Sequence, residues 1–145
     1  MGKHKYIETP EKLLELFEKY LKKTKDNPRK KHTFVGKDGK SEYERLEVPL
    51  TMEGFRIFCF KEVGCVKQYF DNYENRYAEY LTICSYVKDV IRQDQIEGGM
   101  VGQYNPSITQ RLNSLTEKTD VTTNGKEINE IKVNIIKPLK DEEQI

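Results

Sequence analysis

The longest helical pattern in this sequence begins near Tyr73 and is apolar on two faces. A helix of this kind needs a packing partner on each side, and a chain of 145 residues comfortably supplies only one. The first face carries Tyr73, Tyr77, Tyr80, Leu81, Cys84, Val87 and Ile91, and the second carries Ile83, Tyr86 and Val90. The pattern therefore predicts self-association through a long central helix. The alternative is a monomer in which the first helix and a helix near residue 106 cover both sides.

The segment that follows, residues 98–125, predicts a second helix for the same contact. Glycines at positions 98, 99 and 102 are expected to end the long helix, after which Asn105 can cap a new one and Pro106 suits its first turn. Its apolar residues share one face and cannot be buried by so short a helix alone: Ile108, Leu112 and Leu115. The predicted contact between copies comprises Tyr77, Tyr80, Cys84, Val87, Ile91, Ile108 and Leu112.

The composition supports a need for partners. The chain has the length of one domain, yet only 36% of its residues are hydrophobic and 34% are charged. Such a composition makes a thin core for this length. Some apolar surface is therefore expected to meet another chain.

The first element is predicted to be an amphipathic helix over residues 10 to about 25. Thr9 can cap it, Pro10 occupies its first turn, and Pro28 prevents its continuation. One stripe is apolar: Leu13, Leu14, Leu16, Phe17, Tyr20 and Leu21. The fold class that follows is mainly α, with this helix at its start.

A basic connector follows the first helix. Between Lys22 and Lys40 the basic residues are Lys22, Lys23, Lys25, Arg29, Lys30, Lys31, Lys37 and Lys40, against the acidic Asp26 and Asp38. Such an excess favours phosphate binding through counterion release, although a solvated loop is the alternative. Within residues 22–48, two short strands around a Gly-Lys-Asp-Gly turn predict a hairpin or an irregular arm. A phosphate loop at Gly39-Lys40-Ser41 is excluded because Phe34 stands where its first glycine is required.

Residues 51–72 predict two short helices joined by a turn that contains glycine. Thr51 can cap a helix over residues 52–60, and a second helix is expected over residues 65–72. This layout matches a helix-turn-helix, in which the second helix would present Lys67 and Gln68 to phosphates and base edges. The alternative is a pair of core helices with ordinary surface lysines. The aromatic residues of this region recur at packing intervals and are predicted to be core: Phe55, Phe58, Tyr69 and Phe70.

The sequence gives no sign of catalysis, a cofactor or a metal. Cys59, Cys65 and Cys84 form no close pair, only His4 and His32 could join them, and all three sulfurs are expected to pack as reduced thiols. No paired carboxylates lie in an apolar setting, and no Ser/His/Asp set is present. No apolar run is long enough for a membrane helix, and no signal segment is expected.

The C-terminal region predicts one strand. Ile131, Val133 and Ile135 alternate with more polar positions before Pro138 ends the run. A lone strand is marginal in water, so it is expected to pair with copies of itself or with another protein. The last residues, 140–145, are predicted to be a disordered tail.

Three segments, together with the basic connector and the long tyrosine-rich helix between them, resemble the small terminase subunit of tailed phages. They are the N-terminal helix TPEKLLELFEKYLKK, the helix-turn-helix start VPLTMEGFRIFCFKEVG, and YNPSITQRLNSLTEKTDVTTNGKEI after the tyrosine-rich helix. The resemblance covers most of the chain from Thr9 to about Ile136. Cys65 departs from it, because the family commonly has a serine or threonine cap there.

The resemblance implies a ring-forming, non-enzymatic protein that needs no cofactor. Such proteins bind double-stranded viral DNA in the host cytoplasm and present it to the large terminase subunit, which holds the ATPase and nuclease. The expected organisation is a DNA-binding region at 1–72, oligomerisation helices at 73–115 and a strand segment with a tail at 116–145. Two alternatives remain, a helix-turn-helix transcriptional regulator acting as a dimer and an interaction scaffold without a DNA role.

The same hypothesis assigns residues to each contact. The residues expected to contact DNA are Arg29, Lys30, Lys31, Lys37, Lys40, Arg56, Lys61, Lys67 and Gln68. The residues expected to dock the large subunit, or to form a shared barrel, are Ile131, Val133 and Ile135.

Overall fold

The computed structural model describes residues 5–115, which fold mainly as helices with one two-stranded antiparallel sheet. The predicted mainly helical class is therefore confirmed. The predicted strand at residues 131–135 and the tail lie outside the described residues. The elements are α1 (Pro10–Asp26), β1 (Arg29–Val35), β2 (Lys40–Leu46), α2 (Met52–Glu62), α3 (Lys67–Phe70), two 3₁₀ turns (Tyr73–Asn75 and Ala78–Tyr80), α4 (Leu81–Met100) and α5 (Pro106–Leu112).

The helix caps follow the sequence. The Thr9 hydroxyl accepts a hydrogen bond from the backbone N–H of Lys12, and the Thr51 hydroxyl accepts one from Gly54. The Asn105 side chain accepts one from the backbone N–H of Ile108. Each bond satisfies a donor that the first turn of a helix leaves without a partner. The predicted starts of α1, α2 and α5 are thereby confirmed.

A single hydrophobic core includes residues from both the 1–72 region and the 73–115 region. The apolar stripe of α1 packs on α2 and α4, and Phe17 meets Phe55 edge to face with ring centroids 5.3 Å apart. Tyr69 and Tyr80 are also buried, with ring centroids 4.9 Å apart, and both hydroxyls form hydrogen bonds with the backbone of Ile7. Burial raises the pKa of Tyr80 to about 12. The N-terminal segment is thus fixed to the core by two tyrosines.

Most residues assigned to the contact between copies belong to this core. Tyr77, Tyr80, Cys84, Val87 and Ile91 are at most 9% exposed, so the expectation that they form an interface is wrong for this structure. The physical reason is that α1 covers this face of α4, as the monomer alternative required. On the second face of α4, Ile83 and Val90 also pack against the core, and Tyr86 is exposed.

The long helix begins later than its sequence pattern indicates. It starts at Leu81, because the preceding backbone turns through positive φ at Asn72, Glu74 and Asn75. Such angles interrupt a right-handed helix, and asparagine tolerates them better than most residues do. The Asn72 side chain also accepts a hydrogen bond from the backbone N–H of Tyr77, which fixes the turn.

Two of the three glycines expected to end α4, Gly98 and Gly99, lie inside it. A Cβ atom on Gly98 would be 2.1 Å from the Tyr104 ring, and one on Gly99 would be 2.9 Å from the Thr109 side chain. These glycines therefore let the chain after α4 fold back closely onto it. The helix ends at Met100, and Gly102, at φ +73°, makes the reversal.

The orientation of α5 is the opposite of the one that its apolar stripe predicts. Thr109 and Asn113 face inward, and the Asn113 amide donates to the Gln95 side chain on α4 at 3.0 Å. The guanidinium of Arg92 donates to the carbonyl of Asn113 at 2.9 Å. These polar contacts fix the inner face of α5. The apolar residues consequently point outward: Ile108, Leu112 and Leu115.

Candidate nucleic-acid interface

The predicted hairpin is a regular two-stranded ribbon formed by β1 and β2. Gly36 and Gly39 adopt positive φ in the turn, and Gly39 donates to the carbonyl of Gly36 at 3.3 Å. The register pairs Arg29 with Leu46 at the base and Val35 with Lys40 near the turn. Every strand residue is exposed except Thr33, which is half-buried. Both faces of the ribbon are therefore open to solvent or to a partner.

The two faces of the ribbon differ in the side chains they carry: the aromatic rings lie on one face and the carboxylates on the other. Side chains alternate along each strand, so the register divides the strand residues into two sets. The aromatic-basic face consists of Lys30, His32, Phe34, Ser41, Tyr43 and Arg45. The mixed-charge face consists of Arg29, Lys31, Thr33, Val35, Lys40, Glu42, Glu44 and Leu46. All carboxylates of the two strands thus lie on the mixed-charge face.

Three rings form a cluster at the centre of the aromatic-basic face. The His32 ring lies 4.8 Å from that of Phe34 and 5.3 Å from that of Tyr43, measured between centroids. A ring nitrogen of His32 also hydrogen-bonds the Ser41 hydroxyl. Phe34 is 69% exposed and Tyr43 is 68% exposed, so the rings present most of their surface outward. Sequence reasoning treated these aromatics only as strand residues. The alternation of both strands about the predicted turn was the signal that would have found the cluster.

A second basic surface begins at the base of the ribbon. A cleft of about 440 Å³ lies between α1 and α2, and the Lys23 ammonium in it is 5.6 Å from the Phe58 ring centroid. A neighbouring groove of about 250 Å³ runs from α2 to α3 and shares Ile57 and Lys61 with the cleft. The cations that line the two cavities are Lys23, Arg29, Arg56, Lys61 and Lys67, and we call them the helical basic surface. The carboxylate lining these cavities belongs to Glu62.

The structure brings together residues that lie far apart in sequence. Arg29, Arg56, Lys61 and Lys67 were assigned to DNA from three separate segments, and all four line this one surface. Arg56 also pairs with Glu53 at 3.4 Å, one turn earlier on α2. The remaining assigned cations lie on the ribbon or in its turn: Lys30, Lys31, Lys37 and Lys40.

The expected recognition helix is much shorter than its prediction. In place of a helix over residues 65–72, α3 is the single turn Lys67–Phe70, and Val66 at its start provides no side-chain cap. The Gln68 side chain accepts a hydrogen bond from the Tyr77 hydroxyl at 3.1 Å. Part of its hydrogen-bonding capacity is thus used inside the fold. Lys67 is exposed beside the groove.

A polar network that sequence reasoning missed holds the base of the ribbon. The ammonium of Lys25 lies 2.5 Å from Asp94 Oδ1 on α4 and 2.7 Å from Glu47 Oε1, and it donates to the Tyr104 hydroxyl at 2.9 Å. Asp94 in turn accepts the backbone N–H of Leu50 at 2.8 Å. This network links α1, the chain that leaves β2, and α4. It therefore orients the ribbon relative to the helices.

The network shifts the ionisation of its members. Burial lowers the pKa of Lys25, but hydrogen bonds to Asp94, Glu47 and Tyr104 raise it more, so the net shift is upward. The pKa of Glu47 is lowered, chiefly because Lys25 donates a hydrogen bond to its carboxylate. Both groups are therefore held in their charged forms at neutral pH.

The three cysteines do not share one environment. Burial raises the pKa of Cys59 to about 12 and that of Cys84 to about 11, so both thiols are inert packing groups. Cys65 is exposed, which corrects the expectation that all three sulfurs pack. Within residues 5–115, no three side chains from His, Cys, Asp and Glu are grouped as metal ligands would be.

Across the described part of the chain, every helix is too short or too polar to cross a membrane. No protein-family model matches this sequence, and no curated protein is similar to it.

Proposed function

We propose that this chain is a non-catalytic DNA-binding protein of the small terminase type, which binds duplex viral DNA for the large terminase subunit. The observation that carries the proposal is the convergence of five cations on the helical basic surface, where Glu62 is the carboxylate that lines the cavities and Glu53 pairs with Arg56. A concentration of positive charge releases counterions from DNA when it contacts the phosphates. The resemblance in sequence indicates the small terminase type, and the helical basic surface is where the phosphates would bind.

The apolar residues that point outward from the end of α4 and from α5 support self-association. Each of them is between 41% and 80% exposed: Met100, Val101, Ile108, Leu112 and Leu115. Apolar side chains grouped in this way favour a contact with another chain. Among the residues first assigned to that contact, Ile108 and Leu112 stay candidates. In a ring, each weak basic surface is repeated, and the total affinity for DNA increases without a tight site on one subunit.

Duplex binding tests the DNA part of the proposal. We expect the triple variant Arg56→Ala, Lys61→Ala and Lys67→Ala to weaken binding of a duplex oligonucleotide in fluorescence anisotropy. The slope of log affinity against log salt concentration should decrease in magnitude by about 2 to 3. The matched control replaces three exposed cations that line neither cavity, Lys12, Arg76 and Lys88, with alanine. Equal slopes for the triple variant and the wild type would show that the helical basic surface does not contact DNA.

The mass in solution tests the assembly. Light scattering should give a mass of several subunits for the wild type and a smaller mass after Ile108→Ser and Leu112→Ser, because polar side chains weaken an apolar contact. A stable dimer would favour the transcriptional regulator over a ring. A monomer at high protein concentration would overturn the proposed self-association, and a failure to bind duplex would leave only the scaffold alternative.

A further inference from the structure

The aromatic-basic face of the ribbon has features that ribbon stability does not require. Large apolar rings that stand more than two-thirds exposed contribute little to the fold, and Phe34 is paired across the strands with Ser41. Grouped exposed rings are typical of a binding surface. The His32, Phe34 and Tyr43 rings therefore need an occupant that provides flat apolar surface.

The charges on the same face indicate what kind of occupant fits. Lys30 and Arg45 are direct cross-strand partners, and like charges in that position destabilise a strand pair. On the mixed-charge face, by contrast, Lys31 is paired with Glu44, which is favourable. Repulsion between Lys30 and Arg45 is relieved when an anion binds between or beside them. The occupant is thus both anionic and aromatic.

A polynucleotide strand with unpaired bases has both properties. Its phosphates carry the negative charge, and its bases stack on aromatic side chains with little regard to sequence. In a duplex, the flat surfaces of the bases are already stacked on one another and are closed to a protein ring. An apolar protein partner would cover the rings, but it would leave the repulsion between Lys30 and Arg45 unrelieved.

We propose that the aromatic-basic face binds the unpaired bases of single-stranded DNA, with Phe34 and Tyr43 stacked on bases and Lys30 and Arg45 on the flanking phosphates. The proposal rests on the proposed function only in taking DNA as the ligand, since the helical basic surface is assigned to duplex. The two sites use different residues and different chemistry. Each can therefore fail without the other.

The test compares two strands that differ only in their bases. The probes are a twelve-residue oligothymidylate and an abasic phosphodiester strand of equal length, with a duplex measured in parallel. In the double variant Phe34→Ala and Tyr43→Ala, we expect the affinity for oligothymidylate to fall about 30-fold, because two base stacks are lost. Binding of the abasic strand and of the duplex should change less than about twofold, because the phosphate contacts are kept.

The matched control lies on the other side of the same ribbon. Val35→Ala and Leu46→Ala also remove two exposed apolar side chains, and they should leave oligothymidylate binding unchanged. An equal loss in the control, or an equal loss for the abasic strand, would overturn the assignment of stacking to this face. Tighter binding of a uridine oligomer than of oligothymidylate would overturn DNA as the ligand. A fall in solution mass with unchanged oligothymidylate binding would show instead that the face contacts a second copy.

A tryptophan reporter keeps the proposal testable if the double variant loses its ribbon. The chain has no tryptophan, so Phe34→Trp introduces a single indole at the centre of the face. Stacking should quench its fluorescence on addition of oligothymidylate, and the abasic strand should not. Equal quenching by both strands, or by neither, would contradict base stacking. If the triple variant of the helical basic surface binds duplex as the wild type does, the proposed duplex site is overturned. The evidence for base stacking on the aromatic-basic face is not affected by that outcome.

Discussion

Phenylalanine and tyrosine side chains are buried in the helical core but exposed on the ribbon. In the core, Phe17, Phe55 and Tyr69 are at most 1% exposed and pack ring against ring. On the ribbon, Phe34 and Tyr43 are more than two-thirds exposed. The difference arises from surroundings and not from residue type, since the core rings meet facing helices and the ribbon has none. Exposure, and not residue type, therefore distinguishes the aromatic residues of the ribbon from those of the core.

The largest expected effect, and the strongest test of this contrast, is the removal of one aromatic ring from the core. Phe55 is fully buried between α1 and α3, where its ring meets those of Phe17, Tyr20 and Phe70. Phe55→Ala should lower the free energy of unfolding by about 4 kcal/mol, because it removes apolar contacts and leaves a cavity. Urea unfolding followed by circular dichroism measures this loss. A loss below about 1 kcal/mol would mean that Phe55 is not a core residue.

The network at the base of the ribbon should give the next largest effect. Lys25→Met leaves the carboxylates of Asp94 and Glu47 without their cation, and it should cost about 2 kcal/mol after allowance for partial exposure. The same urea titration at pH 7 measures it. An unchanged stability would show that these ion pairs do not hold the ribbon.

The pH dependence of stability follows from the same network. The pKa of Glu47 is lowered from 4.5, so its contribution is complete above pH 4.5 and is lost as the pH falls through the folded-state pKa. The pKa of Lys25 is raised from 10.5, so its contribution persists below pH 10.5 and is lost only at higher pH. Between pH 5 and pH 3, the wild type should therefore lose more stability than Lys25→Met does. Parallel slopes for the two proteins would contradict the coupling.

A helix cap should produce a smaller change. Thr51→Ala removes the hydroxyl that accepts from the Gly54 backbone N–H at 2.9 Å, and it should cost about 1 kcal/mol. Thr51→Ser keeps the acceptor and serves as the control. If serine and alanine at this position destabilise equally, the hydroxyl is not the stabilising group.

The smallest effect on stability is expected on the ribbon. Phe34→Ala should change the free energy of unfolding by less than about 0.5 kcal/mol, because the ring is 69% exposed and the ring it meets, that of His32, is itself exposed. Comparison with Phe55→Ala in one experiment measures the contrast between the two regions directly. A loss similar to that of Phe55→Ala would make Phe34 a structural residue.

Local signals predicted much of the fold. The caps at Thr9, Thr51 and Asn105 are formed by bonds within a few residues, so sequence alone located the starts of their helices. The hairpin followed from the spacing of Gly36 and Gly39. These features depend on neighbours along the chain and not on tertiary contacts.

The errors concern features that tertiary contacts decide. Gly98 lies within a helix because Tyr104 packs against it, and α5 turns Thr109 inward because Asn113, one turn later, bonds to α4. Hydrophobic periodicity identifies an apolar face, but it does not say whether that face meets the same chain or another. For this reason the core face of α4 was mistaken for an interface. The candidate site was predicted in part, since the cations were named but the aromatic-basic face was not.

Duplex binding by the wild-type protein, measured over a range of salt concentrations, tests the central claim most directly. Fluorescence anisotropy between 50 mM and 300 mM salt should give a straight line in log affinity against log salt. Its slope should be about −4.5, because five cations line the helical basic surface of one subunit and each phosphate contact contributes about −0.9. Absence of duplex binding at 50 mM salt, or an affinity that does not depend on salt, would contradict the account.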